Sequence, residues 1–126
     1  MDSMGRTAEL TFTVTDADTA QALGSGDLPV LATPRLLAWL EAATCAAVTD
    51  LLPEGSTSVG TRVDIEHTVA SPLGATVRVN ATILGDVAPS AIFTVTAEHE
   101  DGTVVAHGTV GRVVVDTDRF LAGLAH

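Results

Sequence analysis

The stretch LATPRLLAWLEAATCAAVTDLL, residues 31 to 52, constrains the fold more than any other part of the chain. Leu36, Leu37, Leu40, Ala43, Ala47, Val48 and Leu51 recur at helical spacing and form one wide apolar arc. The opposite side is Ala38, Ala42, Cys45 and Ala46, small rather than charged. Thr33 reads as the N-cap, Pro34 as the first helical residue, and LLPEGS closes the element. A helix with so little polar surface is expected to be enclosed on most sides. Its one central carboxylate, Glu41, has Leu37, Ala38, Thr44 and Cys45 three and four places away. No Lys or Arg stands at pairing distance along the helix.

The rest of the chain supplies what encloses the helix. Residues 8 to 15 alternate Leu10, Phe12 and Val14 against Thr11, Thr13 and Thr15, a half-buried strand. DADTAQALGSGDLPV follows as a polar connection with room for one helical turn. After the helix come four strand-like runs, 57–68, 74–85, 91–99 and 103–115, separated by the turn signals SPLG, LGDVAPS and EDG. The tail DTDRFLAGLAH has the composition of a short helix. Strand, helix, then four strands joined mainly by short turns implies a largely antiparallel sheet. The expected class is therefore α+β. A curved five-stranded antiparallel sheet wraps one long central helix, the hot-dog architecture. The chain has no repeat, no low-complexity tract and no dividing linker, so residues 1–126 are expected to be a single domain.

Composition narrows the partners. Hydrophobic residues make up 46% and charged ones 17%, a globular balance. A net charge of −10, with no Lys and only six Arg, leaves no basic stripe for nucleic acid. No apolar run approaches the ~20 residues of a membrane span. MDSMGRTAELTFTV lacks the apolar segment of a secretory signal. Cys45 is alone, so no internal disulfide is expected and a cytoplasmic location is. The absence of Lys and Tyr beside abundant Ala, Val, Gly and Thr points to a high-GC bacterial genome.

Chemistry concentrates at a few positions. In VGTRVDIEHT, strict alternation places Val59, Thr61, Val63, Ile65 and His67 on one face, with Arg62, Asp64 and Glu66 on the other. His67 then points with the apolar set toward the helix, where it could meet Glu41. A carboxylate–imidazole pair of this kind can move protons near neutral pH, although a lone inward His is also an ordinary core residue. A cap at Thr33 contributes ~1 kcal/mol. Its hydroxyl would also lie beside free N–H groups at a positive helix end, which could stabilise an oxyanion. In TVVAHGTVGRVVV, Arg112 shares a face with Val104, Ala106, Gly108, Val110 and Val114. Placed inward, it must meet a protein carboxylate or a bound ligand, or else reach out at the strand end. His99 and His107 suggest no role, and Cys45 reads as a small buried hydrophobe. His67 has no second His or Cys at ligand spacing, so no metal is expected.

Several of these segments together resemble the fluoroacetyl-CoA thioesterase group of hot-dog thioesterases. They are AT at 32–33, Glu41, SVGT at 58–61, HT at 67–68, SPLG at 71–74 and HGTVGR at 107–112. The resemblance spans roughly residues 30 to 115. It implies a catalytic set of Thr33, Glu41 and His67, with Gly60 and Arg112 contacting substrate, and no cofactor beyond the coenzyme A of the substrate itself. The segment before Thr33, SGDLPVLAT, has no Phe, where the enzyme that names the group carries aromatic residues over its pocket. The expected substrate is thus another short acyl-CoA. The expected assembly is a homodimer with active sites at its interface, by analogy of fold. Two alternatives stand beside thioester hydrolysis: hydration or dehydration of an acyl-CoA, and non-catalytic acyl-CoA binding.

Overall fold

A computed structural model of the chain describes residues 5–124. The start of MDSMGRTAELTFTV and the last two residues of the tail, read above from sequence, lie outside that range. The sheet consists of β1 (Thr7–Thr13), β2 (Ser56–His67), β3 (Thr76–Leu84), β4 (Ser90–His99) and β5 (Val104–Asp116). Between β1 and β2 come a one-turn helix α1 (Ala20–Leu23) and the long α2 (Thr33–Val48), which ends in a 3₁₀ turn, Thr49–Leu51. A short α3 (Thr117–Ala122) follows β5. Among the described residues no helix is long and apolar enough to cross a membrane.

The strands run in the order β1-β3-β4-β5-β2, and every neighbouring pair is antiparallel. This is the expected hot-dog sheet with one difference in connection. LGDVAPS and EDG close hairpins, but SPLG does not: β2 lies at the far edge beside β5, so residues 68–75 carry the chain across the end of the sheet to β3. On the way, Ser71 accepts a hydrogen bond from Leu31 N at 2.9 Å, and Pro72 bridges Val30. The crossing segment thereby seats the residues that lead into α2.

The core lies between α2 and the inner sheet face. Leu36, Leu40, Ala43, Ala47 and Val48 meet alternating residues of β3 (Val77, Val79, Ala81, Ile83) and β4 (Ala91, Phe93, Val95, Ala97), all buried. Each large side chain enclosed there contributes about 2 kcal/mol of transfer free energy. Trp39 completes the floor by stacking on Phe12 of β1, ring centroids 4.7 Å apart.

The helix is less enclosed than its composition suggests. Ala38 and Ala46 are exposed, while Leu37, Glu41, Ala42 and Cys45 are half-buried. The reason is lateral: α2 packs chiefly on β3 and β1 and touches β4 and β2 more lightly, so part of β2 reaches past it. Val63, on the inner face of β2, is 41% exposed. A groove therefore runs between the outward stripe of α2 and the inner face of β2.

Candidate active site

Two irregularities in the strands decide what faces that groove. In β2 the register shifts between Gly60 and Arg62, leaving Thr61 as an extra residue. A bulge reverses side-chain parity, so the strict alternation expected from sequence holds only after it. Val63, Ile65 and His67 face inward as expected, opposite Val110, Gly108 and Ala106 of β5. Before the bulge the inward residues are Ser58 and Gly60, opposite Val114 and Arg112; Val59 is turned outward. A second shift, between Ala97 and Glu98 of β4, falls against Val105 of β5. It turns Val104 out to 45% exposure, away from the face it was expected to share with Arg112.

Thr33 is not the N-cap. Ala32 occupies that position, in extended conformation and without a side-chain cap, and Thr33 is the first residue of α2. Its hydroxyl is engaged elsewhere: Oγ1 lies 2.7 Å from His67 Nδ1. Two further contacts hold this helix end. Ala32 N donates to the Asp18 carbonyl at 2.9 Å, and Arg35 Nε stands 3.1 Å from Asp18 Oδ1, paired though not aligned for a hydrogen bond. Burial holds the His67 pKa below the ordinary histidine value, against a smaller opposing pull from the Val69 backbone. His67 Nε2 is shielded and has no partner of hydrogen-bond geometry. With Nδ1 as acceptor, the neutral ring can take a proton from the Thr33 hydroxyl.

Glu41 does not pair with His67 within the chain, and it is not unpaired. Eight residues of helix put it about 12 Å along the axis from Thr33. Its partner is Arg112, whose Nη1 donates to Glu41 Oε2 at 3.2 Å. The guanidinium, only 8% exposed, also donates from Nε to Ser58 Oγ at 2.9 Å and from Nη2 to the Ser58 carbonyl at 3.1 Å. A protein carboxylate, Glu41, is thus one partner of this inward Arg. Gly60 sits directly under this pair: a Cβ there would lie 2.5 Å from Glu41 Oε2 and 3.5 Å from Arg112 Nη1. The missing side chain is the space the carboxylate occupies.

The groove thus holds two centres, Thr33–His67 at one end and Glu41–Arg112–Gly60 at the other. Ser58 belongs to the second centre, and sequence reasoning missed it because only the bulge at Thr61 brings it inward. Of the remaining histidines read from sequence, His107 lies on the outer face 3.5 Å from Glu66. His99 bonds Ser71 Oγ through Nε2 at 2.7 Å. Cys45, expected to be buried, is half-buried on the stripe that carries Glu41. Among the described residues no three His, Cys, Asp or Glu side chains cluster as a metal site would require.

Comparison with known proteins bears on the family and the fold. The sequence profile of a family described as fluoroacetyl-CoA-specific thioesterase matches residues 14–118. Among solved structures, the fluoroacetyl-CoA thioesterase FlK is 28% identical with a TM-score of 0.87, over 96% of this chain and 93% of its own. A threonine-to-serine variant of FlK, solved with acetyl-CoA, is 25% identical with a TM-score of 0.89, over 96% and 95%. A thioesterase-superfamily protein from Thermus thermophilus shares the fold at 24% identity, with a TM-score of 0.88 over 96% and 89%. A comparison with curated protein sequences gave no match.

Proposed function

The chain belongs to the fluoroacetyl-CoA-specific thioesterase family, and on that premise we propose that it hydrolyses a short-chain acyl-CoA thioester to the free acid and coenzyme A. The observation that carries this reading is the 2.7 Å contact between the Thr33 hydroxyl and Nδ1 of a His67 that burial keeps neutral at neutral pH. His67 takes the proton from Thr33 Oγ1, or from a water held against it, as that oxygen attacks the thioester carbonyl. The carbonyl oxygen gathers charge beside the N-terminal turn of α2, where backbone N–H groups lack partners within the helix. The C–S bond then breaks, and the coenzyme A thiolate leaves with the proton from the imidazolium. If Thr33 is the nucleophile, water releases the acyl group in a second step with His67 again accepting the proton. The reaction asks for no cofactor beyond the coenzyme A of its substrate, and the lone cysteine suits a cytoplasmic setting.

Glu41 enters this scheme through a second copy of the chain. Among the described residues the outer side of β2, twelve residues long, has no neighbouring strand, and the small-residue stripe of α2 beside it is exposed at Ala38 and Ala46. Long unpaired edges favour pairing with another strand, most simply about a two-fold axis. An antiparallel β2–β2 register with Gly60 of one copy opposite His67 of the other brings each Glu41–Arg112 centre to the Thr33–His67 centre of its neighbour. The homodimer then carries two composite sites in which Glu41 can orient the attacking water or polarise the substrate.

The acyl group is short but need not be fluoroacetyl. The solved complexes of FlK contain acetyl-CoA in one case and fluoroacetate with coenzyme A in another. In this chain the segment ahead of Thr33 has no aromatic residue, and Leu28 within it is 64% exposed. Turnover of an acyl-CoA panel, followed with a thiol-detecting reagent, tests the reading. Release of coenzyme A that Thr33→Ala and His67→Ala both abolish is expected. Loss of an enoyl absorbance without thiol release would mean a hydratase, and binding without turnover an acyl-CoA sensor.

A further inference from the structure

The Thr33–His67 contact joins two chain segments with no other direct tie between the two side chains, so something must hold both segments in register. Thr33 follows Leu31 and Ala32, both buried. His67 ends β2, and four residues later the chain reaches Ser71, which is 0% exposed. The Ser71 carbonyl accepts from Leu31 N at 2.9 Å, and Pro72 bridges Val30. Ser71 is therefore the junction at which the segment leaving His67 meets the segment approaching Thr33. Its hydroxyl is bound in turn by His99 Nε2 at 2.7 Å. His99 is rooted in the sheet: it pairs with Val77 of β3, and its N donates to the Thr103 carbonyl at 2.9 Å.

We propose that His99, acting through Ser71, is a positioning residue that holds Thr33 Oγ1 and His67 Nδ1 at reacting distance. Resting on the thioesterase reading above, this assigns a task to a histidine that makes no contact with the groove. A hydroxyl buried at the junction would cost free energy without a partner, so the Ser71–His99 bond is maintained and the junction follows the sheet. The bond persists whichever group donates, since Ser71 can give its proton to a neutral Nε2 or accept one from it. Without it the crossing segment keeps its backbone ties but loses its anchor to β4. Shifts of an ångström or less at Thr33 would follow, and reacting geometry is sensitive on that scale.

The test separates positioning from stability. In His99→Leu, kcat should fall by roughly ten-fold or more while KM changes little, as expected for a misplaced reacting group rather than lost binding. His99→Gln, whose amide reaches the Ser71 hydroxyl, should restore kcat to within about three-fold of wild type. Assays run well below each melting temperature keep unfolding out of the rates. In parallel, the His67 Nδ1 resonance of ¹⁵N-histidine-labelled protein, assigned through His67→Gln, should move in His99→Leu and return in His99→Gln. Should His99→Leu fail to fold, Ser71→Ala removes the same bond and is read on the same scales. Wild-type kcat with an unmoved His67 resonance overturns the proposal, as does a lowered melting temperature with both unchanged. The resonance needs no substrate. If wild-type protein hydrolyses no acyl-CoA, the thioesterase reading fails, and the movement of His67 still decides the coupling.

Discussion

Replacing Gly60 with Ala adds one methyl group at the point where strand and helix come closest, and its effects on stability and on rate should part company. The new Cβ would stand 2.5 Å from Glu41 Oε2, so the carboxylate must retreat by about 1 Å to reach van der Waals distance. The obstacle is the far end of a flexible side chain, and the retreat costs about 1 kcal/mol in off-rotamer strain. Gly60 is not in the left-handed region, so Ala also restricts the unfolded chain, an opposing gain of about 0.4–1 kcal/mol. The two nearly cancel, which leaves the loosened Glu41–Arg112 bond as a net loss of about 1 kcal/mol. The melting temperature should stay within about 4 °C of wild type, the shift that roughly 1 kcal/mol produces in a chain of this size. The retreat does, however, pull Glu41 off Arg112 Nη1, now at 3.2 Å. A 1 Å displacement of a reacting group costs up to about 100-fold in rate. Steady-state hydrolysis of the preferred acyl-CoA, with calorimetric melting of the same samples, measures both. Glu41→Gln with Gly60→Ala should be no slower than Glu41→Gln alone, because both changes act on one carboxylate. A Gly60→Ala enzyme with wild-type kcat/KM would refute the claim that this glycine exists to seat Glu41.

Gly108, on the neighbouring strand, should behave oppositely. A Cβ there would run onto the Asp64 carbonyl oxygen and come within 2.7 Å of Ile65 Cα, backbone that cannot swing aside. Gly108→Ala should therefore cost about 3 kcal/mol or more, seen as a large loss in denaturant midpoint, and an unchanged midpoint would refute it. Arg112→Ala strands Glu41 and removes both bonds to Ser58; breaking a fully buried pair costs about 3–5 kcal/mol. The Glu41 side chain is 34% exposed, which discounts this to about 2 kcal/mol, or some 8 °C of melting temperature. Arg112→Lys should recover only part, lacking the three-way fork, and melting curves of the two variants check both statements. Finally, the depressed pKa of His67 sets a direction for pH dependence. The acid limb of kcat/KM should have its midpoint below 6.5, because the folded protein keeps the ring neutral past the ordinary value. Stability should move with it: the unfolded chain takes up this proton first, so His67 favours the folded state at high pH. That contribution is lost as pH falls from about 6.5 to the lower folded value. An acid limb above 6.5 would remove His67 as the base.

Most residues of the candidate site were legible in the sequence, but Ser58 and the pairings were not. Periodicity alone marks α2, the alternating faces of β1 and the inward turn of His67, because core burial imposes a repeat on the side chains. The same information leaves Glu41 apparently without a partner, since local spacing reports only neighbours along one helix. Arg112 lies 71 positions away, and only folding brings it within 3.2 Å. From sequence Thr33 reads as a cap, because Ser and Thr usually act locally at helix starts. In the fold the backbone begins the helix at Ala32, and the hydroxyl is free to reach His67. Gly60 and Ser58 turn on a single inserted residue, Thr61, which reverses which side chains face the groove without changing the hydrophobic pattern that alternation detects. Composition pointed to a helix enclosed on most sides. That the five strands cover only part of it, leaving Ala38 and part of β2 in the open, follows from the lateral position of α2, chiefly over β3 and β1. That position is a property of packing and not of any local stretch of sequence.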